Sequence, residues 1–176
     1  MNTYNLSNAK IYVGTYGKYN NGSLFGAWLA LSDYADKEDF YEACRELHKD
    51  EEDAEFMFQD WENVPEGLIS ESYISEKFFD LRDELDNLTD TEKDAFWTWV
   101  NYIGYNIADN DVKDLVNEFK DSYVGEYEDE EAFSFQIVEE CYDLPGFAKT
   151  YFDYKKFSRD LFMCDYYYDN GFVFQR

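Results

Sequence analysis

The sequence has 176 residues, enough for one ordinary domain or for two to three very small ones. Its 40 Asp and Glu residues against 15 Lys and Arg residues give a formal net charge of −25 at pH 7, which excludes a protein that binds DNA or RNA. Aromatic residues make up 21% of the chain, which excludes the disorder common in acidic sequences.

The first third of the chain predicts a small α+β unit. Residues 10–16 read as a strand, the Asn-Asn-Gly sequence at 20–22 predicts a hairpin turn, and residues 24–31 form the returning strand. Residues 36–48 predict a helix, and residues 55–61 predict a third strand. The apolar stripe of this helix contains Phe40, Cys44 and Leu47.

Two helices are predicted in the next stretch, because apolar residues recur there at spacings of three and four. The first helix is expected to bury Ile74, Phe78, Leu81, Leu85 and Leu88. The second helix begins at residues 89–91. It is expected to bury Phe96, Trp99, Val100, Ile103 and Ile107.

Three more helices and a hairpin are predicted in the C-terminal part. The first helix follows Asn110, the second runs from the acids at 128–131 to Cys141, and the third covers about residues 148–163. The Asp-Asn-Gly sequence at 169–171 predicts a tight turn between two short strands. The first of these helices is expected to bury Val112, Leu115, Val116 and Phe119.

The predicted fold class is therefore α+β, built as an elongated chain of three small units. The expected domains are an N-terminal α+β domain at 1–62, made of a β-hairpin, a helix and a strand, and a central helical domain at 63–107. A C-terminal α+β domain at 108–176 combines helices with a β-hairpin.

Negative charge is concentrated in the middle of the chain. Residues 1–32 contain no acid and two lysines, whereas residues 33–62 contain 13 acids against three bases, a local net charge of −10. The local net charge is −7 over residues 66–94 and −8 over residues 109–131, but only −2 from residue 132 onward. An acidic coat of uniform density would not show this pattern.

The acids of three predicted helices recur at helical spacing and form acidic ridges. The ridges consist of Asp39, Glu42 and Glu46, of Glu76, Asp80 and Asp83, and of Asp111, Asp114, Glu118 and Asp121. A single ridge is most simply a solvated face, but like charges at neighbouring positions cost about 0.2–0.5 kcal/mol per pair. The shortage of intervening lysines therefore indicates that the protein functions at high salt concentration or that it uses its negative electrostatic field.

The last ridge has a charge spacing that can be compared with DNA. Three to four residues at a rise of 1.5 Å place a carboxylate about every 5 Å, whereas one DNA strand carries a phosphate about every 3.4 Å. Forty carboxylates at the duplex density of one charge per about 1.7 Å would extend over roughly 68 Å. A protein that imitates DNA should therefore be elongated.

No catalytic, metal or cofactor motif stands out, so an enzyme is not expected. His48 is the only histidine and is interpreted as a partly exposed residue at a helix end. The segment that starts at Asp109 does not match a calcium-binding loop. Its sixth position is Asp114 instead of Gly, and its twelfth is Lys120 instead of Glu. We expect no catalytic residues, no metal and no cofactor.

Cysteines and tryptophans are assigned to the interior. Cys44, Cys141 and Cys164 are an odd number without a CxxC pair, and are interpreted as reduced thiols in cores. The tryptophans assigned to cores are Trp28, Trp61, Trp97 and Trp99. Tyr166, Tyr167 and Tyr168 are core residues or dimer contacts. No leader peptide or membrane-spanning segment is recognised, so a cytoplasmic protein without membrane contact is expected.

Several segments spread over nearly the whole chain closely resemble the ArdA antirestriction proteins of conjugative elements. In the N-terminal third these are 12–16 (YVGTY), 19–22 (YNNG), 26–29 (GAWL), 44–53 (CRELHKDEED) and 55–60 (EFMFQD). In the C-terminal part they are 119–127 (FKDSYVGEY) and 151–162 (YFDYKKFSRDLF).

The resemblance implies an elongated three-part fold, a homodimer formed through the C-terminal part, and a surface that mimics bent B-form DNA. It also implies a partner, the type I restriction-modification enzymes with their methyltransferase core, and no binding to nucleic acid. Residues 119–133 resemble the antirestriction motif of the family. The motif residues singled out are Phe119, Tyr123, Gly125, Tyr127 and Phe133.

The candidate DNA-mimicking acids are the three ridges together with acids of residues 50–53, 109 and 126–131. In full they are Asp39, Glu42, Glu46, Asp50, Glu51, Glu52, Asp53, Glu76, Asp80, Asp83, Asp109, Asp111, Asp114, Glu118, Asp121, Glu126, Glu128, Asp129, Glu130 and Glu131. Two other hypotheses stay open: an acidic protein that binds basic proteins without DNA-shaped geometry, and a halophilic enzyme.

Overall fold

The computed structural model describes residues 3–176 and confirms the α+β class, with three small antiparallel sheets accompanied by helices. The first two residues of the predicted 1–62 domain lie outside the described residues. The chain divides into two compact units. The N-terminal unit contains residues 3–90 and Tyr105–Val116, and the C-terminal unit contains Thr91–Gly104 and Asn117–Arg176. The predicted division into three domains stays a prediction.

The N-terminal unit is built on a three-stranded sheet with the order β2-β1-β3. Its strands are β1 (Lys10–Thr15), β2 (Ala27–Ala30) and β3 (Phe56–Glu62), all antiparallel to their neighbours. Ile11 and Val13 point to the same face of β1 and are fully buried. The strands predicted at 10–16 and 55–61 are thus confirmed as β1 and β3, with bounds that differ by one residue.

The connection from β1 to β2 is longer than the predicted hairpin. A short helix, α1 (Tyr16–Asn20), follows β1 directly, because the Thr15 hydroxyl accepts a hydrogen bond from the Lys18 backbone N–H (3.1 Å) and caps it. The return strand begins at Ala27 instead of residue 24. Leu24 therefore lies in the loop and is exposed.

Helix α2 (Lys37–Leu47) matches the predicted helix at 36–48. It begins after Asp36, whose side chain accepts a hydrogen bond from the Asp39 backbone N–H (2.9 Å). Phe40 and Cys44 are fully buried, and the Phe40 ring packs against Phe58 of β3 with centroids 5.8 Å apart. This contact closes the core of the sheet.

A small hairpin precedes the next helix and was not predicted. It consists of β4 (Ile69–Ser70) and β5 (Tyr73–Ile74), and helix α3 (Lys77–Asp86) follows. The prediction that Ile74 belongs to the helix is wrong, although the residue is fully buried. The Ser75 hydroxyl accepts a hydrogen bond from the Lys77 backbone N–H (3.3 Å), and the helix starts there.

Arg82 joins α3 to the segment that precedes α2. Its guanidinium donates hydrogen bonds to the carbonyl oxygens of Leu31 (2.9 Å), Tyr34 (2.7 Å) and Ala35 (2.8 Å). The side chain is largely buried, so these three carbonyls satisfy a charge that water reaches poorly. This clamp helps to explain why residues before and after position 62 pack in one unit.

Two helices, α4 (Asp90–Ile103) and α5 (Val112–Ser122), follow. Phe96, Trp99 and Val100 are buried as predicted, but the predicted burial of Ile103 is wrong, because this residue is 40% exposed. Ile107 lies in a separate 3₁₀ turn, because Gly104 adopts a positive φ of 76° directly after α4 and the helix ends there. In α5 the four apolar residues predicted to be buried are buried, and they are Val112, Leu115, Val116 and Phe119.

The C-terminal unit contains a further three helices, α6 (Glu130–Cys141), α7 (Gly146–Tyr151) and α8 (Tyr154–Cys164). The single helix predicted at 148–163 is wrong, because it is divided at residues 152–153. The Asp153 side chain accepts a hydrogen bond from the Lys156 backbone N–H (3.0 Å) and caps α8 as a separate helix.

A second three-stranded sheet lies in the same unit. Its strands are β6 (Tyr123–Glu126), β7 (Tyr166–Asp169) and β8 (Phe172–Gln175), in the order β6-β8-β7. The predicted turn is confirmed, with positive φ values of 50° at Asn170 and 91° at Gly171. Strand β6 was not predicted, since it has only four residues and contains a glycine.

Candidate functional site

The acids of the chain lie on its surface. None of the 40 Asp and Glu residues is buried, and only Glu51, Glu84, Glu92 and Asp169 are half-buried. All the candidate DNA-mimicking acids are therefore exposed except Glu51. Burial of a carboxylate is costly unless it is paired, so this outward placement is the cheapest arrangement for such a composition.

The ridge of α2 is partly neutralised by the bases of its own helix and of the residues after it. Asp39, Glu42 and Glu46 are exposed on α2, and Lys49 pairs with Glu46 at 2.6 Å. Arg45 pairs with Glu38, which lies beside the ridge. The ridge of α2 therefore presents less net negative charge than its sequence indicates.

The acidic run at 50–53 is anchored from inside by Lys18. The Lys18 Nζ atom donates to Asp50 Oδ1 (2.8 Å) and lies 3.3 Å from Glu51 Oε1, while Glu51 also accepts a hydrogen bond from the Thr15 hydroxyl (2.8 Å). The hydrogen bond from Lys18 holds the pKa of the Asp50 carboxyl below its ordinary value. Glu52 and Asp53 are exposed.

His48 completes this anchor, and the expectation that it is partly exposed is wrong. It is fully buried, with Nε2 3.2 Å from the Val13 carbonyl oxygen and Nδ1 3.0 Å from Lys18 Nζ. A neutral imidazole that donates from Nε2 and accepts at Nδ1 satisfies both contacts. The helix-end position of His48 gave no sign of this burial, since its partners come from β1 and α1.

The ridge of α3 has one paired member. Glu76, Asp80 and Asp83 are exposed, and Asp83 accepts a hydrogen bond from the Arg82 guanidinium at 2.8 Å. Because Arg82 is mostly buried, its charge partly neutralises Asp83 without adding a basic group to the surface. Glu76 lies at the N-terminus of α3, where the helix dipole favours a negative charge.

The ridge of α5 separates acids from bases. Asp111 just precedes the helix, and Asp114, Glu118 and Asp121 follow it along one flank within roughly a quarter of the helix circumference. Lys113 and Lys120 lie on the other flank of the buried stripe, and within residues 3–176 neither forms an ion pair. Exposed Asp109 lies just before this ridge.

The acidic run at 126–131 surrounds the start of α6. Asp129 Oδ1 accepts a hydrogen bond from the Ala132 backbone N–H (2.7 Å), so this carboxylate caps the helix. Glu131 lies 3.9 Å from Lys155 of α8. All five acids of the run, Glu126, Glu128, Asp129, Glu130 and Glu131, are exposed.

The aromatic residues of the predicted antirestriction motif form the interior of the C-terminal unit. Phe119 is buried against Phe96 and Trp99, with centroids 5.5 and 5.9 Å away, and it stacks on Tyr123 at 5.4 Å. Phe133 packs on Tyr127 at 5.0 Å. These contacts give the motif aromatics a structural role beneath the exposed acids of the same segment.

Gly125 adopts a backbone conformation that favours glycine. Its φ is +156°, and a Cβ atom placed there would lie 3.2 Å from the Tyr127 ring. A larger residue would strain strand β6 and displace Tyr127 from Phe133.

Exposed and half-buried aromatic side chains lie in contact along residues 135–157, which include α6, α7 and the first turn of α8. Ring contacts link Phe135 to Tyr154 (5.3 Å), Tyr154 to Phe152 (4.9 Å), Phe152 to Phe157 (5.5 Å) and Phe157 to Tyr142 (5.9 Å). We call this set of five residues the aromatic row. Its two end members, Phe135 and Tyr142, are about half exposed. The row was not predicted, because helical periodicity alone does not separate an exposed aromatic residue from a buried one.

Two neighbouring aromatic residues on α7 are even more exposed. Phe147 is 79% exposed and Tyr151 is 74% exposed, and their rings contact each other at 4.9 Å. The spacing of four residues between them was a readable signal of one helix face. Such exposed aromatic surface is typical of an interaction site.

Some core assignments are wrong. Trp28 and Trp61 are 40% and 38% exposed, whereas Trp97 and Trp99 are buried as predicted. Trp28 lies on the outer face of its sheet beneath the Lys10 ammonium, which is 4.7 Å from the ring centroid. Trp28 lies on β2 and Trp61 lies on β3, and these are the two edge strands of the sheet, so both indoles stay open to water.

The cysteine assignments hold for one residue out of three. All three thiols are free, but Cys141 and Cys164 are exposed at the C-terminal ends of α6 and α8. Cys44 is buried, and burial raises the pKa of its thiol to about 12. Of the three C-terminal tyrosines, Tyr167 is buried, and Tyr166 and Tyr168 are half-buried.

Residues 3–176 contain no group of three or more His, Cys, Asp or Glu side chains placed to hold a metal ion. No helix within the same range combines the length and the apolar character needed to cross a membrane.

A protein-family model matches the sequence. The model of the family described as antirestriction protein (ArdA) matches residues 11–174, which is almost the whole chain. No curated protein matches the sequence. The family match covers every acidic ridge and all but one residue each of β1 and of the C-terminal sheet.

Proposed function

The chain belongs to the ArdA antirestriction protein family, and on that premise we propose that it is a DNA mimic that occupies the DNA-binding groove of a type I restriction-modification enzyme. The observation that carries this proposal is the complete exposure of the acidic ridges on ordered helices. The type I target and its methyltransferase core come from the family resemblance. Incoming unmodified DNA would then escape cleavage, because this protein already occupies the DNA-binding groove of the enzyme.

The α5 ridge supports the electrostatic part of the proposal most strongly. Its carboxylates follow one flank of a rigid helix at intervals of about 5 Å, somewhat wider than the phosphate spacing of one DNA strand of about 3.4 Å. A groove lined with Lys and Arg that neutralises phosphates would bind such a row and release counterions, as it does with DNA. The ridges on α2 and α3 add further exposed negative charge.

The mechanism is stoichiometric competition. It requires no catalytic group, metal or cofactor, and we propose that the protein is not an enzyme. Carboxylates offer no base edges, so binding should not depend on the DNA sequence that the target enzyme recognises. The protein itself should not bind nucleic acid, since its net charge of −25 repels phosphates.

A competition assay tests this function. Purified type I methyltransferase is mixed with a labelled duplex, and the protein is titrated in at two ionic strengths. The proposal predicts displacement of the duplex at a one-to-one ratio of binding sites, with weaker displacement at the higher ionic strength. A duplex that stays bound in excess protein would contradict it.

A control with an unrelated basic protein separates mimicry from simple charge attraction. A DNA mimic should bind the methyltransferase far more tightly than it binds a small basic protein of similar charge density. Equal affinity for both would favour the rival hypothesis of an acidic protein that binds any basic partner.

We also propose a homodimer formed through the C-terminal unit. The exposed aromatic surface of the kind that homodimers cover comes from Phe147, Tyr151 and the two end members of the aromatic row, Phe135 and Tyr142. Phe147→Asp should convert the dimer to a monomer in light scattering, whereas Leu24→Asp, at a 69% exposed position of the N-terminal unit, should leave it dimeric. A monomeric wild-type protein would contradict this part. The expected elongated particle is testable by solution scattering.

A further inference from the structure

A groove in the C-terminal unit combines aromatic and acidic side chains. Its volume is about 370 Å³, and it lies between the end of α4, the end of α5 and the C-terminal sheet. The aromatic and aliphatic side chains that line it include Trp99, Tyr102, Ile103 and Tyr167. Two carboxylates of the α5 ridge, Glu118 and Asp121, also line it.

Tyr102 is held in place on one face and open on the other. Its ring is stacked on Tyr167, with centroids 3.9 Å apart and planes inclined by 10°, and Tyr167 is in turn stacked on Phe174 at 4.9 Å and 18°. Tyr167 and Phe174 are buried, but Tyr102 is 49% exposed. The stack therefore ends in a fixed aromatic ring whose outer face is available to a partner.

We propose that this groove receives an arginine side chain of the partner protein. The guanidinium would stack on the outer face of Tyr102 and donate hydrogen bonds to Asp121 and Glu118. This inference rests on the proposed function, because the DNA-binding groove of the partner supplies the arginine. Stacking of the guanidinium on Tyr102 would be a contact that the DNA backbone does not offer, since a phosphate group has no aromatic ring beside it.

The chemistry of the groove selects a guanidinium among possible occupants. The two carboxylates disfavour an anion, and an apolar side chain would remove water from their charges without replacing its hydrogen bonds. A guanidinium is planar, stacks on aromatic rings and presents several donors in one plane, whereas the ammonium of lysine is a compact and strongly hydrated charge. Stacking on a tyrosine strengthens binding by roughly twofold to thirtyfold, depending on how well water is excluded.

One basic residue of the chain lies at the same groove. Arg176 lines it, and its Nε atom donates a hydrogen bond to the Tyr166 carbonyl oxygen (3.0 Å). Its guanidinium is an exposed like charge for an incoming arginine. The proposal therefore predicts that Arg176→Ala strengthens partner binding, by about twofold at moderate salt.

Peptide titration tests the groove without the restriction enzyme. Blocked Gly-Arg-Gly and Gly-Lys-Gly peptides have the same charge, and NMR follows the ring signals of Tyr102. The arginine peptide should shift these signals several times more than the lysine peptide does, and Tyr102→Ala should remove the difference between the peptides at Ile103. Equal shifts with both peptides would overturn the proposal.

Affinity for the methyltransferase core provides the second test. Tyr102→Ala should weaken binding about fivefold to tenfold with an unchanged salt dependence, whereas Tyr102→Phe should stay within about twofold of wild type. Tyr19→Ala is the matched control, since Tyr19 is 50% exposed and lies in the acid-free segment. It should bind like wild type.

The two proposals fail in different ways. If wild type displaces DNA and Tyr102→Ala does so equally well, the arginine contact is wrong and the mimicry stands. If wild type fails to displace DNA, the mimicry is wrong, and the peptide titration alone decides whether the groove binds a guanidinium.

Discussion

Helices α2 and α5 carry the same kind of acidic ridge but neutralise it differently. On α2, Lys49 pairs with Glu46 and Arg45 pairs with the neighbouring Glu38, so bases lie among the acids. On α5, Lys113 and Lys120 stay on the flank away from the ridge. The bases in and beside each helix therefore neutralise the two ridges unequally, and we expect removal of the α5 acids to cost more affinity.

Neutralising the α5 ridge should have the largest effect on partner binding. The variant with Asp111, Asp114 and Asp121 changed to Asn and Glu118 to Gln should bind the methyltransferase about tenfold to a hundredfold more weakly, at about 0.3–0.7 kcal/mol per charge. Asp111 Oδ1 accepts hydrogen bonds from the backbone N–H groups of Lys113 (2.9 Å) and Asp114 (3.1 Å), and an Asn side chain can accept them too, so the fold should be retained. Isothermal titration at low salt measures the loss, and circular dichroism checks the fold.

Neutralising the α2 ridge should have a smaller effect. Asp39→Asn, Glu42→Gln and Glu46→Gln together should weaken the same interaction about twofold to tenfold, because Glu46 is already paired with Lys49. If this variant loses more affinity per removed charge than the α5 variant does, the claim that the α5 ridge contributes more to binding is wrong. The same titration at matched ionic strength decides it.

A single substitution should have little effect on binding. Asp114→Asn alone should change the affinity by less than about threefold, because the interaction is spread over many charges. Inhibition of restriction should then be unchanged at saturating protein. If any one such substitution abolished inhibition, the distributed model would be wrong and a specific contact would replace it.

The smallest effect concerns the stability of the anchored run beside α2. The hydrogen bond from Lys18 lowers the folded pKa of Asp50, so this pair stabilises the fold fully above the ordinary carboxyl pKa of about 3.9. That stability is lost as the pH falls through the lower folded value. Asp50→Asn should therefore lower the unfolding temperature near neutral pH, and the difference from wild type should close on acidification.

Asp53→Asn is the control for this measurement. Asp53 belongs to the same acidic run and is exposed, but it has no hydrogen bond to Lys18. Its unfolding temperature should follow wild type at every pH. A pH-independent difference for Asp50→Asn would show that the substitution acts through packing instead of charge.

The spacing of apolar residues predicted the helices that bury one continuous face. Helix α5 shows this best, since Val112, Leu115, Val116 and Phe119 are all buried as the spacing predicts. The Asp-Asn-Gly turn was equally readable, because positive φ at Asn170 and Gly171 demands those residue types.

The elements that were missed depend on single hydrogen bonds or on distant partners. A capping hydroxyl at Thr15 turns a hairpin into a helix, and a capping carboxylate at Asp153 divides one predicted helix into two. Neither residue stands out in a sequence that is rich in polar groups. His48 shows the same limit, since its burial depends on Lys18 and Val13, about 30 residues away.

The candidate site was predictable in part. Acids on helix faces follow from spacing, so the positions of the ridges were readable. The pairing of individual acids was not, because Lys18 and Arg82 come from other elements or from the buried side of the same helix. The ring stack of Tyr102 on Tyr167 joins residues 65 positions apart, and no local pattern indicates it.

Lysine protection on the target enzyme tests the central claim most directly. The methyltransferase core is acetylated alone, with duplex DNA, and with this protein, and mass spectrometry identifies the lysines protected in each case. DNA mimicry predicts that the protein and the duplex protect largely the same groove lysines. Protection of a separate set of lysines, with the groove still reactive, would contradict it.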